Sequence, residues 1–244
     1  MKWKALAAGI AAFIGLSGAA SAAPIYGSFN ITGSVTVNLS TIDWAPAGGG
    51  AGNFSVVEPG TGYFALLPGS PTPPPNSVGT ATDLGPAQFN QVEVLANPLV
   101  GFLSNFNHDI PAVDLLYSGL SVDLIDVVNP TAPACTAVGL AVNGQSCTLG
   151  VFQLTRISAT STLIGMEVVV DFVDSNIADS RSRGTGQYST QYGASVASIF
   201  DTIVTNGGSI STSYSANFES VPEPATMALV GLVLVGGGLL RRRS

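Results

Sequence analysis

The chain has 244 residues, of which 46% are hydrophobic and only 9% charged, with 29 glycines, 15 prolines and a formal net charge of −7. Disorder needs low hydrophobicity and high net charge, so this composition excludes a disordered chain and leaves one large domain or two small ones. Lys2 and Lys4 lie at one end and Arg241, Arg242 and Arg243 at the other; between Pro24 and Ser220 three arginines face fourteen carboxylates, a formal −11 that repels nucleic acid phosphates.

In chain order, residues 1–23 come first, MKWKALAAGIAAFIGLSGAASAA. Lys2 and Lys4 make a positive start, Ala5 to Leu16 an apolar stretch, and Ala20-Ser21-Ala22 a small-residue cleavage pattern. That order is a secretory signal peptide, to be removed by signal peptidase, and it is too short for a comfortable membrane span.

Residues 24–220 read as one secreted domain. Phe29 to Leu39 alternates apolar and polar residues, and Ser209 to Phe218 does so again, which predicts strands with one buried face. Glu167 to Val173 is a denser apolar run and predicts a central strand. Further strands are expected near 54–58, 63–67, 91–95, 100–106, 120–127, 150–157, 160–165 and 187–192, with Gly and Pro between them. Residues 109–116 have room for a helical turn, and 194–201 suit a short helix or a strand equally. Ala45 to Gly52 (APAGGGAG) is a flexible loop, and residues 68–76 (PGSPTPPPN) form a Pro-rich loop with polyproline character. Many short strands, turn residues and abundant Ser, Thr and Val predict an all-β fold. The expected form is an antiparallel β-sandwich, jelly-roll or Ig-like, followed by a C-terminal transmembrane helix.

Few residues offer chemistry. His108 is the single histidine, followed by Asp109, but no G-x-S-x-G elbow accompanies it, and a polar loop residue is the plainer reading. Asp123 with Asp126 and Asp171 with Asp174 are paired carboxylates of the kind glycoside hydrolysis uses, yet only one tryptophan, Trp44, lies beyond the signal peptide to floor a sugar groove. Asp171, Asp174, Asn176 and Asp179 put four oxygen-bearing side chains in nine residues, a weak calcium candidate without EF-hand spacing, and Arg181 and Arg183 follow to neutralise the same carboxylates. No other cofactor is expected. Cys135 and Cys147 enclose a short Gly-rich loop; in an oxidising destination they predict a disulfide, stabilising by roughly 3 kcal/mol in the chain-entropy model.

The last segment, residues 221–244, reads VPEPATMALVGLVLVGGGLLRRRS. Ala225 to Leu240 is a sixteen-residue apolar run, shorter than the roughly 20 residues of a full span but workable with flanking help. Arg241, Arg242 and Arg243 then stop transfer and stay cytoplasmic. Pro222 and Pro224 keep Pro222-Glu223-Pro224 extended just outside the bilayer, accessible to a protease. Motif, apolar helix and basic cluster, in this order and paired with a signal peptide, resemble the PEP-CTERM sorting signal of Gram-negative bacteria that make exopolysaccharide. The resemblance covers about 24 residues. It implies recognition and cleavage by a membrane-embedded exosortase, a transient inner-membrane intermediate, and release or attachment at the cell surface or extracellular matrix. It transfers no activity to the rest of the chain.

The reading that follows is a non-catalytic matrix or surface protein meeting exopolysaccharide through exposed hydroxyls. Two others compete with it. A carbohydrate-binding module predicts a face of clustered rings, from Trp44, Tyr63, Phe64 and Tyr117. A secreted hydrolase predicts carboxylates converging in a cleft.

Overall fold

The computed structural model describes residues 25–44, 52–57, 60–67, 77–89, 97–108, 110–178 and 180–221. The expected signal peptide, the segment at 45–51, the Pro-rich segment at 68–76, the expected strand at 91–95, Asp109, Asp179 and everything after Val221 lie outside the described residues, and with them the expected transmembrane helix. Among the described residues no helix is long and apolar enough to cross a membrane.

Among the described residues eleven strands form, all paired antiparallel: β1 (Ser28–Val37), β2 (Ile42–Asp43), β3 (Gly52–Val57), β4 (Ser77–Ala81), β5 (Leu99–His108), β6 (Leu120–Val128), β7 (Ser146–Leu149), β8 (Phe152–Ser158), β9 (Ser161–Asp174), β10 (Ser182–Tyr192) and β11 (Ile210–Ser220). Short helices sit at Pro86–Phe89, Pro111–Tyr117 and Val196–Phe200. The period-two pattern is realised in β1, where Phe29, Ile31, Val35 and Val37 are buried, and in β11, where Ile210, Tyr214, Ala216 and Phe218 are.

The all-β, antiparallel expectation holds, but the arrangement is a barrel where two facing sheets were expected. Strands run β10-β11-β1-β3-β4-β5-β6-β9, and β9 returns to pair with β10, closing a ring of eight. The length of β9 makes this closure compatible with a branch. Its first part, Ser161–Gly165, pairs with β8 on one side, and its later part, Glu167–Asp174, pairs with β6 on that same side. β10 runs along the whole opposite side, from Thr162 to Phe172. The two runs read as separate strands at 160–165 and 167–173 are therefore one strand, and β7 and β8 form a flap branching off the ring. Closure pairs the ring's edges, which an open sheet would leave free to aggregate.

An eight-stranded barrel is just wide enough for side chains to fill. Near one end Phe29 is fully buried, with ring centroids 4.8 Å from Phe64, 5.3 Å from Phe218, 5.8 Å from Phe106 and 6.2 Å from Phe172. Towards the other end Trp44 meets Tyr188 at 4.7 Å and Tyr214 at 5.1 Å. A cavity of about 40 Å³ remains beside Trp44, Met166, Tyr188 and Tyr214, far below the few hundred Å³ that small-molecule sites occupy. Two glycines of β10 make room for the rings: a Cβ on Gly184 would come within 2.3 Å of Phe172, and one on Gly186 within 2.5 Å of Phe218.

The expected strand at 63–67 is instead a 3₁₀ turn, Gly62–Phe64, that plugs the barrel end. Gly62 has φ = 56°, a left-handed conformation that reverses the chain. Phe64 and Leu67 are then buried in the core instead of alternating across a sheet. The helix at Pro111–Tyr117 fits the expected turn, and 194–201 resolves in favour of a helix, with Ser195 accepting the Ser198 N–H at its N-terminus.

Candidate functional site: the barrel end that carries both tails

The first and last described residues lie together. β1 begins opposite the end of β11, with Ser28 facing Glu219. The Ser220 N–H donates to the Gly27 carbonyl at 2.9 Å, the Gly27 N–H donates to Ser220 Oγ at 2.9 Å, and the Val221 N–H donates to the Arg183 carbonyl at 2.8 Å. The chain is thus held in the sheet up to Val221. Pro222 comes next in the sequence and has no N–H to extend the ladder.

The same end is capped by the turn at 62–67, the helix Pro111–Tyr117 and the turn after β9. The Tyr63 N–H donates to the Tyr26 carbonyl at 2.7 Å, and Tyr117 Oη donates to the Tyr63 carbonyl at 2.6 Å. Tyr63 Oη donates to Asp174 Oδ2. Asp174 Oδ1 accepts the Asn176 N–H at 2.8 Å, and Asn176 Nδ2 donates to Ser118 Oγ at 3.3 Å. Burial, and then the bond to Asp174, push the Tyr63 phenol up from its ordinary range. Burial also raises Tyr117, Tyr188 and Tyr214. A folded pKa above the unfolded value near 10 means that the unfolded chain loses these protons first. Stability conferred this way is complete below pH 10 and is lost as pH rises beyond it. In urea unfolding series, the midpoint should fall above pH 10, and Tyr63→Phe should make that fall shallower.

The sequence-predicted carboxylates are regrouped. Asp171 and Asp174 are three residues apart on β9, so they point to opposite faces. Asp171 lies on the outer wall directly opposite Asp123 of β6, and Arg183 of β10 is its partner on the other side. Arg181 spans both carboxylates, at 3.3 Å from Asp123 and 3.2 Å from Asp171, and Arg183 Nε lies 2.5 Å from Asp171. Asp123 Oδ1 also accepts the Gly101 N–H at 2.9 Å, where the register between β5 and β6 slips. A second slip between Leu124 and Asp126 sets Asp126 opposite Val169, on the Asp123 face. The close pair is therefore Asp123 with Asp171, which the spacing along the sequence does not signal, and it is tied by arginines.

Of the calcium candidates, Asp171 is held by the arginines, Asp174 by Tyr63 and Asn176, Asn176 by Ser118, and Asp179 lies outside the described residues. Among the described residues no group of three or more His, Cys, Asp or Glu could hold a metal ion. With both aspartates already satisfied, millimolar calcium should leave the melting temperature unchanged; a rise of several degrees would show these oxygens rearranging around the ion.

Cys135 and Cys147 are joined in a disulfide, with Cα atoms 4.9 Å apart, tying the loop before β7 to that strand. His108 departs from the loop reading. It ends β5 and is 5% exposed; its Nδ1 accepts the Ile110 N–H at 2.9 Å, and its own N–H donates to Asp114 Oδ1 at 3.1 Å. The rings proposed as a sugar platform are core: Trp44, Phe64 and Tyr117 are buried, and Tyr63 is half-buried between its ring neighbours.

The wall built by β10, β11 and β1 is different. Its outward residues include hydroxyls and amides paired across strands: Thr36 with Ser211 at 2.7 Å, and Asn217 Nδ2 donating to Asn30 Oδ1 at 2.9 Å. Only the burial alternation of β1 and β11 hinted at such a wall.

Residues 220–243 match the family model of the PEP-CTERM protein-sorting motif. The match begins at Ser220, the final residue of β11, so the sorting signal starts where the barrel ends. Neither the curated proteins nor the solved structures gave a match to the chain. The signal implies export through the membrane and processing by an exosortase. Its Pro222, Glu223, Pro224, Arg241, Arg242 and Arg243 lie outside the described residues.

Proposed function

We propose that the barrel is an exported, non-catalytic protein of the cell surface or exopolysaccharide matrix of a Gram-negative bacterium. It is delivered as an inner-membrane intermediate and freed from its C-terminal run by an exosortase. The observation that carries this reading is the junction at Ser220, where a sheet clamped to its last residue passes directly into a sorting signal. The disulfide supports an oxidising compartment outside the cytosol. The hydroxyl and amide wall of β10, β11 and β1 supports contact with polysaccharide through many weak hydrogen bonds, and a filled interior fits a structural component better than a carrier.

The test is mass spectrometry of the mature protein from its native host, with and without the sorting protease. The expected product begins at Ala23 or Pro24 and ends within the Val221–Pro224 segment, and the intact C-terminus persists only when the protease is deleted. An intact C-terminus in the wild type would refute the sorting step.

A further inference from the structure

We infer that, while the C-terminal run is attached, the barrel end around Tyr26 and Leu115 seats on the lipid surface. The inference rests on the reading of residues 225–240 as a membrane segment and adds an orientation to it.

The first support is reach. The chain is locked into the sheet through Val221, and the apolar run begins at Ala225. Four residue steps, fully extended, span at most about 14 Å. The barrel therefore cannot turn away from the bilayer, and the end facing it is the one from which β11 exits.

The second support is the chemistry of that end. The helix Pro111–Tyr117 exposes Ala112, Leu115 and Leu116, an i, i+3, i+4 stripe facing outwards, while Tyr117 holds the helix down. Leu115 is 73% exposed, and Leu66, on the turn that Tyr117 grips, is 58% exposed. Tyr26, on the other side of that turn, is 62% exposed. Leucines and a tyrosine from three separate segments are thus exposed at one barrel end, the apolar exposure expected of an interaction surface. Tyrosine and leucine are also the residues that favour the boundary between headgroups and acyl chains. Among the described residues, most of the other exposed large apolar side chains are valines.

Seating would hold Pro222-Glu223-Pro224 in the headgroup layer, where a membrane-embedded protease works, and cleavage would free the barrel from the surface.

The test uses the full chain reconstituted into vesicles of phosphatidylethanolamine and phosphatidylglycerol with brominated acyl chains. Tryptophan is introduced as Leu115→Trp or, separately, Leu66→Trp, with Val138→Trp on the disulfide loop at the opposite end as the reference. We expect the emission added by Leu115→Trp and by Leu66→Trp to fall at least two-fold against unbrominated vesicles, and that of Val138→Trp to stay unchanged. Flotation with the vesicles but no quenching at either position would overturn the seating alone. Failure to float would overturn the membrane segment and the seating with it. Quenching that needs the co-reconstituted protease would assign the patch to that protein and overturn the lipid proposal.

Discussion

Replacing Phe29 by alanine should destabilise the barrel by about 4 kcal/mol, the range of a large ring deleted from a core that cannot collapse around the gap. The reason is position. Phe29 has no exposed surface, and four other phenylalanines, from the end plug, β5, β9 and β11, lie within 6.2 Å of its ring centre. Losing it removes contacts to a turn and three strands together, and no neighbouring backbone is free to move in. Against a typical total of about 5–15 kcal/mol, that is a large share of the fold's stability. Urea unfolding followed by tyrosine and tryptophan fluorescence should show a lower midpoint with little change in slope. Phe29→Leu should lose less than half as much. A loss below about 1 kcal/mol for Phe29→Ala would mean that the rings are not packed in this way.

The double change Arg181→Ala with Arg183→Ala should cost about 3 kcal/mol, because it strands two buried carboxylates. Asp123 and Asp171 face each other on adjacent strands with 4% of each side chain exposed, an arrangement of like charges that repels. The guanidinium groups compensate them from a more exposed position, at 59% and 54%, so the lower end of the range for broken buried pairs applies. Adding Asp123→Asn and Asp171→Asn to the same background should restore most of the loss. That recovery separates a charge effect from lost arginine packing, which the asparagines cannot repair. An arginine double variant within about 0.5 kcal/mol of the parent would show the row to be ornamental, as many exposed ion pairs are.

The row also bears on the proposed absence of catalysis. Two carboxylates side by side could be taken for an acid–base pair. Here one arginine lies on both carboxylates, a second lies on Asp171, and a backbone N–H occupies Asp123 Oδ1. A substrate would have to displace these partners before either group could act.

Some of this was legible along the chain because it depends on near neighbours. Alternation in β1 and β11 is a local pattern, since successive side chains of any strand point to opposite faces. The C-terminal sorting motif was legible for the same reason: charge, apolar length and prolines act in order along the sequence. The disulfide partners were legible because only two cysteines exist. The 3₁₀ turn at 62–64 was not, because Tyr63-Phe64-Ala65-Leu66-Leu67 is apolar in either conformation and only the open barrel end gave it something to plug. The grouping of the carboxylates was not legible either: three residues apart on the unbroken strand β9 puts Asp171 and Asp174 on opposite faces, whereas a bulge in β6 reverses that rule and keeps Asp126 on the Asp123 face.

By itself the sequence determined that this is an all-β chain ending in a sorting signal, because both properties are set by side chains within a few residues of one another. Whether the strands faced each other as two sheets or closed into one ring was decided by β9 meeting both β6 and β10, pairings between segments far apart in the chain. The same closure put both tails, the tyrosine-rich plug and the exposed leucines at one end. No local pattern encodes that convergence, since it arises from the order in which the strands surround a common core.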